Sequence, residues 1–207
     1  MNIFDKFLNT DVAQPSGTVA KNDEHWDRQK RKEIGMKREK SAIHAIRRLL
    51  YRPENFLHGL HFIEPTTKEI CEVDGLYLAK DALCIVEIKS KNFDYMYGNT
   101  DTGHWYLEYG GRIVKSDNAF RQITRQMRIA KANLGMNVRF LGIVFLNNRN
   151  PNARIDVVGN ELKHISLELD ATRVAKFLNS LPHNDDANLA KRILEIDEAN
   201  RESGLYD

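Results

Sequence analysis

The sequence predicts an α/β sandwich, a mixed β-sheet flanked by helices, and three features predict it. Residues 72–91 read as a hairpin whose strands are apolar on both faces, as strands covered on both sides must be. Residues 138–146 (Val-Arg-Phe-Leu-Gly-Ile-Val-Phe-Leu) form a nearly continuous apolar run, the mark of a central strand. Two long segments, one before the hairpin and one between it and that strand, carry helical periodicity and supply the covering layers.

Taken in order, residues 1–23 show little periodicity and contain Gln14-Pro-Ser-Gly17, so a loosely held arm is expected. A helix follows from about Asp23 to Tyr51, with Ile43, Ile46, Leu49 and Leu50 as its apolar stripe and Pro53 marking its end. Residues 56–64 suggest a first strand, and Pro65-Thr-Thr-Lys68 a turn into the hairpin. Its strands, Glu72–Ala79 and Ala82–Lys89, join through Lys80 and Asp81. Residues 92–99 are aromatic and turn-rich, and His104–Tyr109 and Arg112–Lys115 flank Gly110-Gly111, a second hairpin signal. Trp105, Tyr106 and Tyr109 are suited to base stacking, but packing is the default expectation for such aromatics.

A second helix is expected over Asp117–Leu134, with Ser116 or Asp117 as N-cap and Gly135 as its stop. Phe120, Ile123, Met127, Ala130 and Leu134 make its buried stripe. Asn118, Gln122 and Gln126 line one flank, and Arg121, Arg125 and Arg128 another. Beyond residue 150, Ile155–Val158 and Ile165–Leu169 suggest short strands. Asp170 caps a helix carrying Val174, Phe177, Leu178 and Leu181, and a last helix runs from Asp186 to about Arg201. The expected organisation is thus an arm (1–23), a core (24–150) and a C-terminal extension (151–207) packed on that core.

The hairpin also carries the chemistry. A two-residue connection pairs 79 with 82, 77 with 84 and 74 with 87, so Asp74, Glu87 and Lys89 project on one side of the sheet. Two carboxylates and an ammonium there are costly unless paired or used to hold a cation. The same register sets Glu72 opposite Lys89, and a structural salt bridge between them is the rival reading. Glu39 shares the helical stripe of Ile43, Ile46 and Leu50. An acid on that side either pairs with a nearby Arg or Lys or joins Asp74 and Glu87.

Asp74-Gly75 and Glu87-Ile88-Lys89, together with Glu39, Trp105 and Gln122 in that order, resemble the NERD (nuclease-related domain) family of the restriction-endonuclease-like, PD-(D/E)xK phosphodiesterase superfamily. The resemblance covers about residues 33–146. An isolated acid with Glu-x-Lys arises by chance, as Asp156 with Glu161-Leu162-Lys163 illustrates; the ordered set of features is far more specific. Two departures stand out: Asn118-Ala119 replaces the family's usual Asn-Pro, and the segment after Lys89 is longer and more aromatic than usual.

The resemblance implies a restriction-endonuclease-like αβββαβ sandwich and a nuclease that cuts nucleic acid, with DNA the expected substrate, leaving 5′-phosphates. It implies Mg2+ or Mn2+ on the Asp74 and Glu87 carboxylates and the Ile88 backbone carbonyl, with Glu39 completing or orienting the site. Lys89 would orient or deprotonate the attacking water or neutralise charge at phosphorus, and Gln122 would position water or phosphate. Arg121, Arg125, Arg128 and Lys91 are the cations expected to meet phosphates. The alternative is a catalytically idle module that keeps the fold and binds nucleic acid or protein.

Composition sets the outer limits. The 207 residues, 42% hydrophobic and 29% charged, suit one well-packed domain with a small addition. An apolar run long enough for a membrane span is missing, and Met1-Asn-Ile-Phe-Asp-Lys-Phe lacks a signal-peptide core, so a cytoplasmic location is expected. Cys84 falls opposite Tyr77, away from Cys71, and both cysteines read as buried thiols. Neither pairs with a histidine at ligand spacing, which argues against zinc. Net charge is only +2, but Arg28–Arg52 holds ten Lys or Arg against Glu33 and Glu39, a distribution suited to one surface that meets phosphates.

Overall fold

The central hairpin forms in the expected register: in the computed structural model β2 (Ile70–Leu78) and β3 (Ala82–Lys89) pair antiparallel, with Tyr77 opposite Cys84 and Gly75 opposite Val86. The Ala79 N–H donates to the Ala82 carbonyl at 2.9 Å and closes the turn over Lys80 and Asp81. The structure describes residues 21–135, 138–159 and 165–203. The expected arm falls almost wholly outside these, as does the chance Glu161-Leu162-Lys163. The chain divides into two compact units, Met1–Gly35 and Met36–Asp207. Of the first, the described part is the beginning of helix α1 (Lys21–Leu49).

In the second unit, β1 (Phe56–Ile63) lies antiparallel to β2, and β7 (Arg139–Leu146) and β9 (Ile165–Glu168) extend β3 in parallel. The result is a mixed five-stranded sheet in the order β1-β2-β3-β7-β9. On one face, Ala42, Ile43, Ile46 and Leu50 of α1 and Val174, Ala175 and Leu178 of α3 (Ala171–Ser180) cover Tyr77, Cys84, Val86 and Ile88. On the other, Phe120, Ile123, Ile129, Ala130 and Leu134 of α2 (Ala119–Leu134) cover Leu76, Leu78, Leu83 and Ile85. Burial on both faces is why these strands read as apolar throughout. Leu49, placed in the α1 stripe by sequence, is 45% exposed, because that stripe centres on Ala42, Ile46 and Leu50.

A second sheet, in the order β6-β5-β4-β8, is built from three strands inserted between β3 and α2 and from β8, which follows β7 in the chain. The Gly110-Gly111 hairpin joins β5 (His104–Tyr109) to β6 (Arg112–Asp117), and both glycines take the positive φ that such a tight turn requires (54° and 75°). β4 (Tyr95–Asn99) lies in the segment that sequence marked only as aromatic and turn-rich, and it pairs in parallel with β8 (Arg154–Val158). Trp105 is a core residue, 2% exposed and edge-on to Phe120 at 5.4 Å, whereas Tyr109 is exposed.

Three details correct the expected caps and edges. The N-cap of α2 is Asn118, not Ser116 or Asp117, which still belong to β6; Asn118 Oδ1 accepts from the Phe120 N–H at 2.9 Å. Its Nδ2 donates to the carbonyls of Asn99, Thr100 and Thr102, tying the helix start to the inserted sheet. Met127 is only partly buried, and Gln126 takes a fully buried place on α2 instead. At the free edge of β1, α4 (Ala187–Glu202) supplies Asp197 to the His61 N–H, Asn200 to the His61 carbonyl and Arg201 to the Gly59 carbonyl. An otherwise open strand edge is satisfied in this way. Both cysteines are buried free thiols, and among the described residues no helix is long and apolar enough to cross a membrane.

Candidate active site

The ladder between β2 and β3 stops at the Gly75–Val86 pair, immediately before Asp74. There the Asp74 Oδ2 accepts the Ile88 N–H at 2.7 Å, the donor that a continued ladder would have given to backbone. The β1–β2 pairing skips the same level, where Gly59, with φ of 62°, stands in place of a paired residue. Gly75 lets Phe56 approach: a Cβ at this position would lie 2.5 Å from the Phe56 ring. The sheet thus opens at Asp74, and its carboxylate fills part of the gap.

Glu87 lies on the α2 side of β3 and is 1% exposed. Its Oε1 is 2.6 Å from Lys89 Nζ, and its Oε2 accepts from Gln126 Nε2 at 2.7 Å. Lys89 Nζ also donates to Gln122 Oε1 at 2.7 Å, so the two glutamines, one helical turn apart on α2, grip the two ends of the Glu87–Lys89 pair. Gln126 Nε2 further donates to the Glu72 carbonyl at 2.9 Å, and Gln126 Oε1 is buried with no hydrogen-bond partner among the described residues. The expected rival pair of Lys89 with Glu72 does not form: Glu72 is exposed, and Lys89 turns to Glu87.

The electrostatics follow from this crowding. Burial, then the nearby Glu87 charge, pushes the Asp74 carboxyl up to about 8, against the opposing pull of the Ile88 N–H. Glu39 is also raised, by burial first and then by Glu72 and Glu87, while Lys89 and Lys40 pull it back. It belongs to the same field of charge, with no direct ion pair among the described residues. Lys91 Nζ donates to Ser116 Oγ at 2.8 Å, and partial desolvation followed by the Lys89 charge holds it below the usual lysine range. On the outer flank of α2, Arg128 binds the buried Glu64 through two bonds (3.0 and 2.7 Å) and Arg125 meets Glu69 at 3.0 Å. Arg121 has no such partner among the described residues; it lines an open cleft of about 400 Å³ with Thr100, Phe120 and Thr124.

The chain matches the nuclease-related domain (NERD) family over residues 34–147, more than half of its length. It is a member of the NERD family. No curated protein and no solved structure matched the chain. The NERD match begins within α1 and contains β1 to β6 and α2. It ends just after β7, so β8, β9, α3 and α4 lie beyond it.

Of the residues singled out by sequence in this NERD domain, the structure gathers Asp74, Glu87, Lys89 and Gln122 at one end of the sheet. Glu39 is within their electrostatic reach, and Arg125 and Arg128 are engaged by acids. Among the described residues no three His, Cys, Asp or Glu side chains converge as a metal cage. The two carboxylates, Asp74 and Glu87, are the oxygen donors present there, of the kind that would suit Mg2+ or Mn2+. The raised Asp74 carboxyl fits that donor set, since a cation relieves the repulsion between it and Glu87.

Gln126 is the residue that sequence reasoning undervalued. Its spacing from Gln122 was visible, but its burial and its bond to Glu87 were not. Gln126→Leu leaves Glu87 Oε2 and the Glu72 carbonyl without that donor, and is expected to destabilise the chain by about 2 kcal/mol in urea unfolding. A variant as stable as wild type would show that water replaces the amide at no cost.

Proposed function

We propose that this NERD chain hydrolyses phosphodiester bonds of nucleic acid, with DNA as the substrate and Mg2+ or Mn2+ as cofactor. Asp74, Glu87 and the Ile88 carbonyl would hold the cation, with Glu39 at the margin of the site. The observation that supports this reading is the convergence of Asp74, Glu87 and Lys89 where the sheet opens, with Lys89 braced between Glu87 and Gln122.

A divalent cation bound there supplies Lewis-acid polarisation of a phosphoryl oxygen and lowers the pKa of water. Lys89 carries three donors, of which two point to Glu87 and Gln122, leaving the third for a phosphate oxygen or the attacking water. Gln122 accepts from Lys89 through Oε1, so its Nε2 is available to a second oxygen of the same phosphate. Gln126 fixes the rotamer of Glu87 by holding its other oxygen. Arg121 and Lys91 would meet flanking phosphates, while Arg125 and Arg128 would contribute only the donors that Glu64 and Glu69 leave open.

Incubation with single- and double-stranded DNA and RNA in Mg2+ or Mn2+ is expected to give cleavage that chelation abolishes. In calorimetry, heat of cation binding is expected in wild type and not in Asp74→Ala. Cleavage indifferent to chelation, or equal heat in both proteins, would falsify the reading. Oligonucleotide binding with no cation heat in either would favour the idle binding module.

A further inference from the structure

Four arginines of the described surface are answered by acids: Arg128 by Glu64, Arg125 by Glu69, Arg52 by Glu54 and Asp185, Arg201 by Asp197. Helix α1 carries a basic row without such partners. Its inward side is fixed by Ala42, Ile43, Ile46 and Leu50, which are buried against the sheet. Lys40, His44 and Arg47, spaced i, i+4 and i+7, fall together on a flank about 100° round the helix from that stripe, with Lys40 and His44 exposed and Arg47 half-buried, and none has an ion-pair partner among the described residues. His58 of β1 is exposed beside them. Burial, then the Arg47 and Lys40 charges, hold it below the usual histidine range, which places all three groups in one field.

The row also has a direction. Lys40 follows Glu39 on the helix, and Glu39 shares the field of Glu72, Glu87 and Lys89, so the Lys40 end of the row is the one nearer the candidate site. From Lys40 to Arg47 the helix rises about 10 Å, about three nucleotide steps along one strand. Like charges at helical spacing repel, and a polyanion laid along them removes that repulsion.

We propose that this face of α1, with Lys40 and Arg47 as its principal cations and His44 and His58 beside them, is the track along which the phosphate backbone of the nucleic acid enters the site. The inference rests on the nucleic-acid reading above and assigns its path: one strand runs along α1 before it reaches Asp74, Glu87 and Lys89. Phosphate contacts of this kind position the polymer without reading its sequence.

The test is fluorescence anisotropy of the full chain with a labelled DNA duplex, in chelator, over a series of salt concentrations. Replacing Lys40 and Arg47 together by Ala is expected to reduce the slope of log K against log salt by about 2, at about 0.9 per lost contact, and to weaken binding by roughly tenfold or more at physiological salt. Lys40→Glu, at an exposed position, guards against misfolding of the double variant and should weaken binding in the same way. Affinity and slope unchanged in both variants overturn the proposal, as does a loss confined to binding of anionic vesicles or polyglutamate. The two readings separate cleanly. If the slope falls in the variants but wild type shows no cation-dependent cleavage, the track stands and the nuclease does not. If wild type cleaves and the slope is unmoved, the nuclease stands and the track does not.

Discussion

Lys89→Ala is expected to lower the rate of phosphodiester cleavage by about 10²- to 10³-fold, the size of effect that loss of one aimed donor to developing phosphate charge produces. The same change removes the only ion-pair partner of Glu87 among the described residues, a carboxylate that is 1% exposed. Stability should therefore fall by about 3 kcal/mol, the lower end of what the loss of one member of a buried pair costs, since the Lys89 side chain keeps 26% of its surface. Lys89→Arg separates the two effects. It restores a charge beside Glu87 and most of the stability, but the planar guanidinium does not reproduce the three-way geometry of an ammonium held by Glu87 and Gln122, so cleavage stays low. Rapid-quench cleavage and urea unfolding on both variants check this. A rate unchanged in Lys89→Ala would remove Lys89 from the chemistry.

The second large effect is a pH dependence of stability in the cation-free protein. Asp74 has an ordinary carboxyl pKa of 3.8 and is pushed up to about 8 in the folded chain, chiefly by burial and by Glu87. Between those values the folded state keeps a proton that the unfolded state has released. Stability is therefore fully present below about 3.8 and is lost as pH rises through about 8, by up to about 1.4 kcal/mol per pH unit for one proton. Glu39, raised by burial, Glu72 and Glu87, acts with the same sign. Asp74→Asn keeps an oxygen for the Ile88 N–H and carries no proton to lose, so it should be more stable than wild type at pH about 8 and should flatten most of the slope. Urea unfolding in chelator at several pH values tests this. Wild type equally stable across the range, or an Asn variant with the same slope, would refute it.

Much of this molecule was legible in the chain itself. The Lys80-Asp81 connection gives the register that sets Tyr77 opposite Cys84, and from that register the shared side of Asp74, Glu87 and Lys89 follows without any tertiary information. Several helix ends were equally plain: Gly135 stops α2 in the left-handed conformation, and Asp170 and Asp186 start α3 and α4 as side-chain N-caps. Illegible were β4, whose Tyr95-Met-Tyr97 alternation is cut short by Gly98, and the true α2 cap, because Ser116, Asp117 and Asn118 are all capping residues and only the extent of β6 chooses among them.

The sequence by itself determined the elements, the central register and the set of groups that carry charge into the sheet, because side-chain period and turn chemistry act over a few residues. Only the tertiary structure decided which partners those groups take. Gln126 reaches across from α2 to Glu87, Glu64 and Glu69 claim Arg128 and Arg125, Lys89 chooses Glu87 over Glu72, and β8 joins β4 rather than the main sheet. Each of the longer-range choices joins segments tens of residues apart, and each depends on how the layers stack, a matter of packing that no local pattern encodes.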